Sequence, residues 1–452
     1  MRGGGRRGTS CDENRADRLC QAGTRRLHSK ELQTRRAFPR RLNRPVTGAT
    51  CKDLSTVGAW RVAWAVMALL TRRRASFALT MSALLALLPA CEPLADDLDF
   101  VRQEVQVTTR STLVPPAEPA PATLKVMAWN VKYGAARIDF WFDYWGDRVQ
   151  MTRQEVVENM ADLYRLVNEY DPDILMTEEI EVNSRRSAYY DMVQGMLEGT
   201  SLNYAAYIQT WNSRFIPSEG VGRMDLGNAI FSKYPITFAE RIRQEDRTDQ
   251  DGITAKFYIH RMIGRAVIDV GAGRDVAAYV VHTEAYDVDG TKGRQIQQIY
   301  DEIKKETRPF VLGGDFNELP PNAVKLVGFP DEHPSSIGTE YQQPPYTPEI
   351  MQKFYDDYLP WVSLDAYGTS EATQRRYFTH TVAGPLYKDE SGNPQFWNRT
   401  LDYLFVTKAD AWAAGSTDVL QEPGRQGIQR DPLMLSDHAP VVGTWVLGGG
   451  TP

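Results

Sequence analysis

Several polar residues in this chain share one local arrangement: each lies at one end of a short apolar run of β-strand length. Residues 310–312, 401–406 and 440–446 are three such runs. The polar residues in question are Asn130, Glu179, His282, Asp315 with Asn317, Asp402, and Asp437 with His438. A single Asp or Asn at a strand end is more often a turn or a cap. In an α/β sandwich, however, strand ends gather at one edge where ligands bind, so the repeated arrangement predicts one shared site.

The apolar runs alternate with helical segments along the chain. Thr152 and Glu155 have the spacing of a capping box, and Val156, Met160 and Leu163 follow at helical intervals. Tight turns join other runs, so we expect an α/β fold with mixed sheets. Strands are predicted near 124–129, 174–177, 205–209, 227–231, 261–269, 276–283, 310–314, 401–407 and 440–446, and helices near 153–169, 187–197 and 291–306.

Charge is distributed unevenly along the chain. Residues 1–91 hold 18 of the 52 Lys+Arg and 5 of the 58 Asp+Glu, which leaves 34 against 53 for the remainder. Residues 1–66 form a basic leader, and residues 1–56 lack the apolar periodicity needed to bury a core, so we interpret this part as disordered. Translation from Met67 is an alternative, and a basic arm that binds nucleic acid is a weaker one.

Residues 67–91 have the order of an export signal. Arg72 to Arg74 precede the apolar run 77–88, and small residues lead into Cys91. This ending resembles the lipobox of bacterial lipoproteins, in which the cysteine carries the lipid. We expect an exported bacterial lipoprotein of the cell envelope or periplasm, held at the membrane through Cys91. A secreted protein with an ordinary signal peptide, or a short membrane anchor, is the alternative.

Residues 92–123 are acidic and then Pro-rich, which is typical of a tether or linker. The four cysteines are Cys11, Cys20, Cys51 and Cys91, so residues 124–447 contain no thiol. This domain therefore depends on its core without disulfides and cannot build a zinc site on cysteine. We expect it to be a monomer.

Residue type at the strand ends indicates the chemistry. Carboxylate and amide oxygens are hard ligands that suit Mg²⁺, with Mn²⁺ or Ca²⁺ as alternatives. His282 and His438 also end or begin apolar runs, and an imidazole carries protons well near neutral pH. His260, His333 and His380 lie in polar stretches, and we expect them on the surface or in loops.

Six motifs resemble, in order, those of the endonuclease/exonuclease/phosphatase superfamily, and the likeness covers residues 124–447. The motifs are Ala128-Trp129-Asn130, Leu175-Met176-Thr177-Glu178-Glu179, residues 227–236, Gly314-Asp315-Phe316-Asn317, residues 399–405 and Ser436-Asp437-His438-Ala439-Pro440. The resemblance implies a four-layer α/β sandwich of two mixed sheets between helices. It also implies a divalent-metal-dependent hydrolase of phosphate esters.

The same resemblance implies the metal residues. Glu179 is the expected metal carboxylate, Asn130 its neighbour at the metal, and Asp437 a second carboxylate on the metal side.

The remaining strand-end residues take catalytic roles by the same resemblance. Asp315 orients or deprotonates the attacking water, and Asn317 donates to the oxygens of the phosphorane-like transition state. Asp402 holds His438 in its useful tautomer, as an Asp–His pair does elsewhere. His282 donates to a phosphate oxygen or to the leaving group.

Two departures from the family pattern stand out. Glu178 occupies a position where the family commonly has Gln, so its charge either strengthens cation binding or faces away from the site. The residues around His282 also differ from the family pattern, which leaves a buried strand-end histidine as the alternative for that position.

The substrate stays open between nucleic acid, phospholipid and small phosphoesters. An acidic domain is poorly suited to holding a long polyanion, although the stretch from Arg241 to Arg247 could steer one. The aromatic loop 140–145 could stack bases, insert into lipid headgroups, or simply cover a helix. A catalytically inactive binding protein is the least favoured interpretation.

Overall fold

The computed structural model describes residues 95, 98, 100–116, 120–141, 146–216, 220–331, 348–388 and 391–448. They belong to one compact unit, Pro89–Pro452. Among them, no helix has both the length and the apolar character needed to cross a membrane. The predicted leader 1–66, the predicted signal 67–91 with Cys91, and His333 lie outside the described residues.

The described chain forms fifteen strands and seven α-helices. The strands are β1 Arg102–Glu104, β2 Val107–Thr109, β3 Thr123–Asn130, β4 Ile174–Glu181, β5 Tyr204–Ile216, β6 Gly222–Ser232, β7 Ile236–Arg243, β8 Met262–Asp269, β9 Asp275–His282, β10 Phe310–Asp315, β11 Tyr358–Pro360, β12 Asp402–Thr407, β13 Ala411–Trp412, β14 Asp418–Val419 and β15 Val441–Val446. The helices are α1 Arg153–Tyr170, α2 Met192–Gly199, α3 Gly252–Phe257, α4 Thr291–Ile303, α5 Gln352–Asp357, α6 Leu364–Tyr367 and α7 Glu371–Gln374.

The strands form two mixed sheets. One has the order β1-β7-β8-β9-β10-β12-β11, and the other β13-β15-β3-β4-β6-β5-β2, with β14 paired to β15. Each sheet has one parallel pair near its centre, β9 with β10 and β3 with β4, while its other pairs are antiparallel. The prediction of two mixed sheets is confirmed.

Alternation along the central strands separates the layers. In β3, Leu124, Val126 and Ala128 lie in the core between the sheets. Met127 and Trp129 point the other way and pack with α1 and α2, because successive strand side chains face opposite sides. A third core lies between the β9–β10 sheet and α4. The order helix, sheet, sheet, helix is the predicted four-layer sandwich.

The first helix begins as predicted. Thr152 accepts from the backbone N–H of Glu155, and the Glu155 side chain accepts from the backbone N–H of Thr152. The next helix begins at Met192, later than the predicted residue 187, because the Asp191 side chain caps it by accepting from the backbone N–H of Gln194. Strand β7 was not predicted, since its burial pattern is irregular.

The stretch predicted as a Pro-rich linker, 92–123, contains two strands. Strand β1 pairs with β7 at the edge of one sheet, and β2 pairs with β5 at the edge of the other. The tether interpretation is therefore wrong for residues 102–104 and 107–109. Three-residue edge strands whose side chains are exposed in β1 and mostly half-buried in β2 carry little hydrophobic signal, so composition alone favours a linker.

Candidate active site

Strand register brings distant residues to one rim of the sandwich. Asp315 at the end of β10 lies opposite His282 on β9 and opposite Asp402 on β12. In the other sheet, Asn130 at the end of β3 lies opposite Glu178 on β4. Because both parallel pairs end at this rim, their last residues face each other between the sheets.

Asp402 and His438 form a buried hydrogen-bonded pair. The Nδ1 atom of His438 lies 2.8 Å from Oδ2 of Asp402. The backbone on both sides is held in place: Thr379 Oγ1 accepts from the N–H of Asp402 at 3.2 Å, and Trp129 Nε1 donates to the carbonyl of His438 at 2.8 Å. This geometry leaves Nε2 of His438 directed at the rest of the cluster.

Asp315 lies at the centre of the cluster. Its Oδ2 atom lies 3.5 Å from Nε2 of His282 and 3.6 Å from Nε2 of His438. The carboxamide nitrogens of Asn130 and Asn317 lie 3.2 Å and 3.4 Å from the same oxygen. Two imidazoles and two amides, from four separate parts of the chain, thus surround one carboxylate oxygen.

The turn after β10 depends on two unusual backbone conformations. Gly314 has φ +140°, and a Cβ there would lie 2.0 Å from the carbonyl oxygen of Val281, so only glycine fits. Asn317 has φ +45°, its N–H donates to Asp315 Oδ1 at 2.8 Å, and its carboxamide donates to the carbonyl of Thr283 at 3.1 Å. This turn directs the Asn317 side chain back towards Asp315.

An irregularity in β4 turns Glu179 towards the solvent-exposed opening of the site, which is called the mouth below. The pairing of β4 with β6 shifts between Thr177 and Ile180, and Glu179 itself has φ +57°. Its side chain is 27% exposed, whereas that of Asp315 is 2% exposed. The Asn130 carboxamide donates to Glu179 Oε1 at 3.2 Å. A non-glycine residue with this φ is strained, and such strain is often found at functional sites.

Asp437 is the other partly open carboxylate, with its side chain 14% exposed and its Oδ2 atom 3.7 Å from the Nζ atom of buried Lys132. The carboxamide oxygen of Asn130 accepts from the N–H of Lys132 at 3.1 Å, so its NH₂ group faces the carboxylates. Asn130 therefore lies beside Glu179 as expected, and its NH₂ group points at the Glu179 carboxylate.

The open carboxylates fit a hard divalent cation better than the buried ones do. Ligand atoms of Asp315, Asp402 and His438 lie within 4.8 Å of one another, but the Asp402–His438 hydrogen bond already uses two of them. Glu179 and Asp437 are more open to solvent. Burial, followed by the charge of Asp437, raises the pKa of Glu179, and a divalent cation would relieve this repulsion between hard oxygen donors.

The two imidazoles are held in different protonation states. Burial alone would lower the pKa of His438, but the charges of Asp402 and Asp315 together with the Asp402 hydrogen bond raise it to about 10. Burial, with the nearby positive charges of Arg261 and His438, lowers the pKa of His282 well below its usual range. His438 is thus a cation at neutral pH, and His282 is a neutral imidazole.

Asp315 is a carboxylate that can exchange its proton near neutral pH. Burial raises its pKa, the charge of His438 lowers it and that of Asp402 raises it, and the result is about 7.

Glu178 lies at the end of the cluster that borders the protein core, and not at the mouth of the site. It is fully buried, and among the described residues neither of its carboxylate oxygens has a hydrogen-bond partner. Burial, then the charges of Asp402 and Asp315, raise its pKa well above the usual range. Glu178 was expected either to strengthen cation binding or to face away from the site. The structure favours the second alternative, because the side chain is fully buried, whereas those of Glu179 and Asp437 are partly exposed.

His380 is a residue of the site that sequence reasoning missed. It lies in a loop, which was one of the two expected positions, but not at the surface: His380 is buried, and its ring packs edge-on against that of His438 with centroids 4.5 Å apart. His380 does not border an apolar run in the sequence. Isolated β-bridges to Arg399 and His438 hold its backbone at the site. His260 is also buried, and its Nδ1 atom lies 2.9 Å from Asp246.

The two features proposed for substrate steering are only partly supported. Phe140 is buried against Tyr133, while Trp141 is 43% exposed, and residues 142–145 lie outside the described chain. In the basic stretch, Arg243 pairs with Asp246 at 2.6 Å and Arg247 with Asp249 at 2.6 Å. Neighbouring carboxylates offset these charges, so the stretch is a weak attractor for a polyanion.

The fold and the site define a class: a four-layer α/β sandwich with a carboxylate, imidazole and amide cluster at one rim. The model of the Endonuclease/Exonuclease/phosphatase family matches residues 127–438, and the chain belongs to this family. Members of this family are phosphoester hydrolases. No curated protein matches the chain.

Solved structures with a similar fold share little sequence with this chain. An endonuclease/exonuclease/phosphatase from Beutenbergia cavernae is 17% identical, with a TM-score of 0.45 over 73% of this chain and 72% of that one. A mannosyl-6-phosphatase from Bacteroides thetaiotaomicron is 14% identical, with a TM-score of 0.41 over 72% and 100%. The human Nocturnin catalytic domain is 14% identical, with a TM-score of 0.39 over 72% and 94%.

Proposed function

We propose that the protein is a divalent-metal-dependent hydrolase that cleaves phosphate esters by water attack. The observation that carries the proposal is the convergence on Asp315 Oδ2 of His282, His438, Asn130 and Asn317, all within 3.6 Å. A phosphate ester is anionic and repels a nucleophile, so a site that collects donors and a base around one point suits its hydrolysis.

The residues divide the chemistry. Asp315 accepts a proton from the attacking water, and the nearby His438 cation stabilises negative charge that grows on the phosphate. Asp402 keeps His438 protonated and oriented through the 2.8 Å bond to Nδ1. The Asn317 carboxamide donates to a non-bridging oxygen, and neutral His282 donates to a phosphate oxygen or to the leaving group.

Glu179 and Asp437, with Asn130 beside them, are the residues that would hold the cation. A bound Mg²⁺, or Mn²⁺ or Ca²⁺ in its place, would polarise the phosphate and neutralise part of its charge. The same ion would also relieve the repulsion between the two carboxylates.

The charge of the chain supports a compact phosphodiester or phosphomonoester over a long polyanion. Residues 92–452 hold 34 Lys+Arg against 53 Asp+Glu, and Arg243 and Arg247 in the stretch 241–247 are paired with Asp246 and Asp249. Nucleic-acid affinity depends largely on cationic contacts with phosphates. An extracellular nuclease and a sphingomyelinase-like phospholipid hydrolase are therefore the alternatives, and an inactive binding protein is the least favoured.

We also propose that the enzyme is exported and held in the cell envelope through a lipid on Cys91. The order of basic, apolar and small residues over 67–91 supports this. Cys91→Ser should release the protein from the membrane fraction and abolish incorporation of labelled palmitate. Retention of both would contradict the anchor.

The hydrolase proposal is tested with bis-p-nitrophenyl phosphate and Mg²⁺ or Mn²⁺. We expect turnover that is lost with EDTA and in Asp315→Ala, and a wild-type protein without turnover on any phosphoester would overturn the proposal. Comparing plasmid DNA, sphingomyelin vesicles and a small phosphoester under the same conditions then separates the three substrate classes.

A further inference from the structure

A lysine outside the cluster makes a direct contact with the catalytic turn. Lys292 is the second residue of α4 and is fully buried. Its Nζ atom donates to the backbone carbonyl of Asn317 at 2.8 Å and lies 3.6 Å from Oε2 of Glu318. The ammonium thus contacts the backbone of the turn that carries Asn317.

The position of this lysine is energetically unfavourable in two ways. A buried ammonium loses its hydration, which is unfavourable unless the group is paired and hydrogen-bonded. It also lies in the first turn of a helix, where the helix dipole disfavours positive charge. The hydrogen bond to Asn317 and the ion pair with Glu318 offset these costs, so Lys292 links the start of α4 to the turn that carries Asn317.

The turn has an uncommon backbone conformation that several contacts hold in place. Asn317 has φ +45°, in the left-handed region, which Asn adopts more readily than most other non-glycine residues. Thr283 and Asp315 accept from its carboxamide and its N–H, and Thr283 Oγ1 also donates to the carbonyl of Phe316. The carbonyl of Asn317 itself is held by Lys292.

We propose that Lys292 is a positioning residue, whose buried ammonium fixes the left-handed backbone at Asn317 and so directs the carboxamide at the phosphate. The inference rests on the proposed function, because it assumes that the Asn317 carboxamide donates to a phosphate oxygen. Displacement of a catalytic donor by about 1 Å can lower turnover about 100-fold.

The first test compares Lys292→Met with a matched control, Glu318→Gln, using bis-p-nitrophenyl phosphate and Mg²⁺. Lys292→Met removes the bond to Asn317 and should lower kcat about 10- to 100-fold with little change in KM. Glu318→Gln leaves that bond in place and should keep kcat within about threefold of wild type. Equal losses in both variants would overturn the inference.

A second variant separates positioning from folding. Lys292→Met with Glu318→Leu replaces the buried ion pair by apolar side chains, a change that is often neutral or stabilising. We expect this double variant to keep the wild-type melting temperature and to have the low kcat of Lys292→Met. A stable double variant with wild-type kcat would overturn the inference.

A double-mutant cycle tests the route through Asn317. In an Asn317→Ala background, Lys292→Met should lower kcat by less than about twofold, because the group it positions is already gone. An undiminished loss there would contradict the role. Failure of the two proposals is distinguishable: an inactive wild-type protein overturns both, whereas an active Lys292→Met variant overturns this one alone.

Discussion

At the Asp402–His438 pair, burial and charge act on one imidazole in opposite directions. Burial favours the neutral ring, but the charges of Asp402 and Asp315 dominate and raise its pKa to about 10. His282 lies at the same oxygen of Asp315, but burial, with the positive charges of Arg261 and His438, lowers its pKa. Two histidines at one site thus differ in charge at neutral pH, because negative charges dominate around His438 and positive charges act on His282.

His438→Ala should lower kcat on a small phosphoester by about 100- to 10,000-fold, because the variant loses the positioned cation and proton carrier. The far-ultraviolet circular dichroism should stay that of the wild type, since the ring contributes little to the apolar core. His260→Ala is the matched control: it also removes a buried imidazole 2.9 Å from a carboxylate, but outside the cluster. A folded His438→Ala protein with unchanged kcat would remove His438 from the mechanism.

Glu318 should make stability depend on pH. Burial raises its pKa to about 7 even though Lys292 acts in the opposite direction. Because the folded-state pKa is the higher one, its contribution is fully present below the ordinary value of 4.5 and is lost as pH rises through about 7. Glu318→Gln should therefore match the wild-type melting temperature at pH 4 and exceed it by a few degrees at pH 8, with EDTA present. Parallel curves over this range would contradict the assignment.

At the scale of elements, the edges of both sheets are covered by the same stretch of chain. Strands β1 and β2 pair with β7 and β5, so residues 102–109 close two sheets at once. Arg102 adds ion pairs to Glu240 and Glu302, each at 2.8 Å. An unpaired edge strand is a template for association with another chain, so this stretch protects the sandwich.

Deletion of residues 92–110 should lower the melting temperature and cause aggregation, because it exposes the edges of β5 and β7. Scanning calorimetry and size-exclusion chromatography measure the two effects. Arg102→Ala is the control, with an expected cost of about 1 kcal/mol or less, since exposed ion pairs contribute little. A monomeric deletion variant of unchanged stability would show that the edges need no cover.

The start of α1 depends on its capping box. Thr152→Ala removes the hydroxyl that accepts from Glu155 N–H at 3.2 Å, and should lower the free energy of unfolding by about 1 kcal/mol. Thr152→Ser keeps the hydroxyl and should stay close to wild type. Denaturant unfolding measures both, and equal losses would point to the methyl group and not to the cap.

At the scale of the whole molecule, family membership gives the class of reaction, hydrolysis of phosphoesters. The excess of acidic residues over 92–452 is the basis of the proposed preference for small phosphoesters over long polyanions. In the basic stretch 241–247, Arg243 and Arg247 are paired with nearby carboxylates, so the stretch offsets little of this negative charge.

We expect kcat/KM for a small soluble phosphoester to change less than about threefold between 50 and 200 mM salt, because few cationic contacts are lost. Plasmid DNA should be cleaved slowly under all these conditions. Fast cleavage of plasmid with a steep loss on addition of salt would instead identify a cationic surface and favour the nuclease alternative.

Much of the site was predictable because the signal is local. Asp315, Asp402 and His438 each border an apolar run, and strand ends meet at one rim in a sandwich. Lys292 and His380 have no such signal: one lies in a helix turn where lysine is usually solvated, and the other in a polar loop. Their burial depends on chain segments that are distant in sequence.

Alternation and capping act over a few residues, so local sequence was enough to predict most central strands, the start of α1 and the polar residues at the strand ends. Strands β1, β2 and β7 lacked such a signal, and the four layers were expected only from the family resemblance. The protonation state of each imidazole, the inward position of Glu178 and the buried lysine at the Asn317 turn could not be predicted from local sequence. Those outcomes depend on desolvation and on charges from other segments, and they arise when the two sheets pack together.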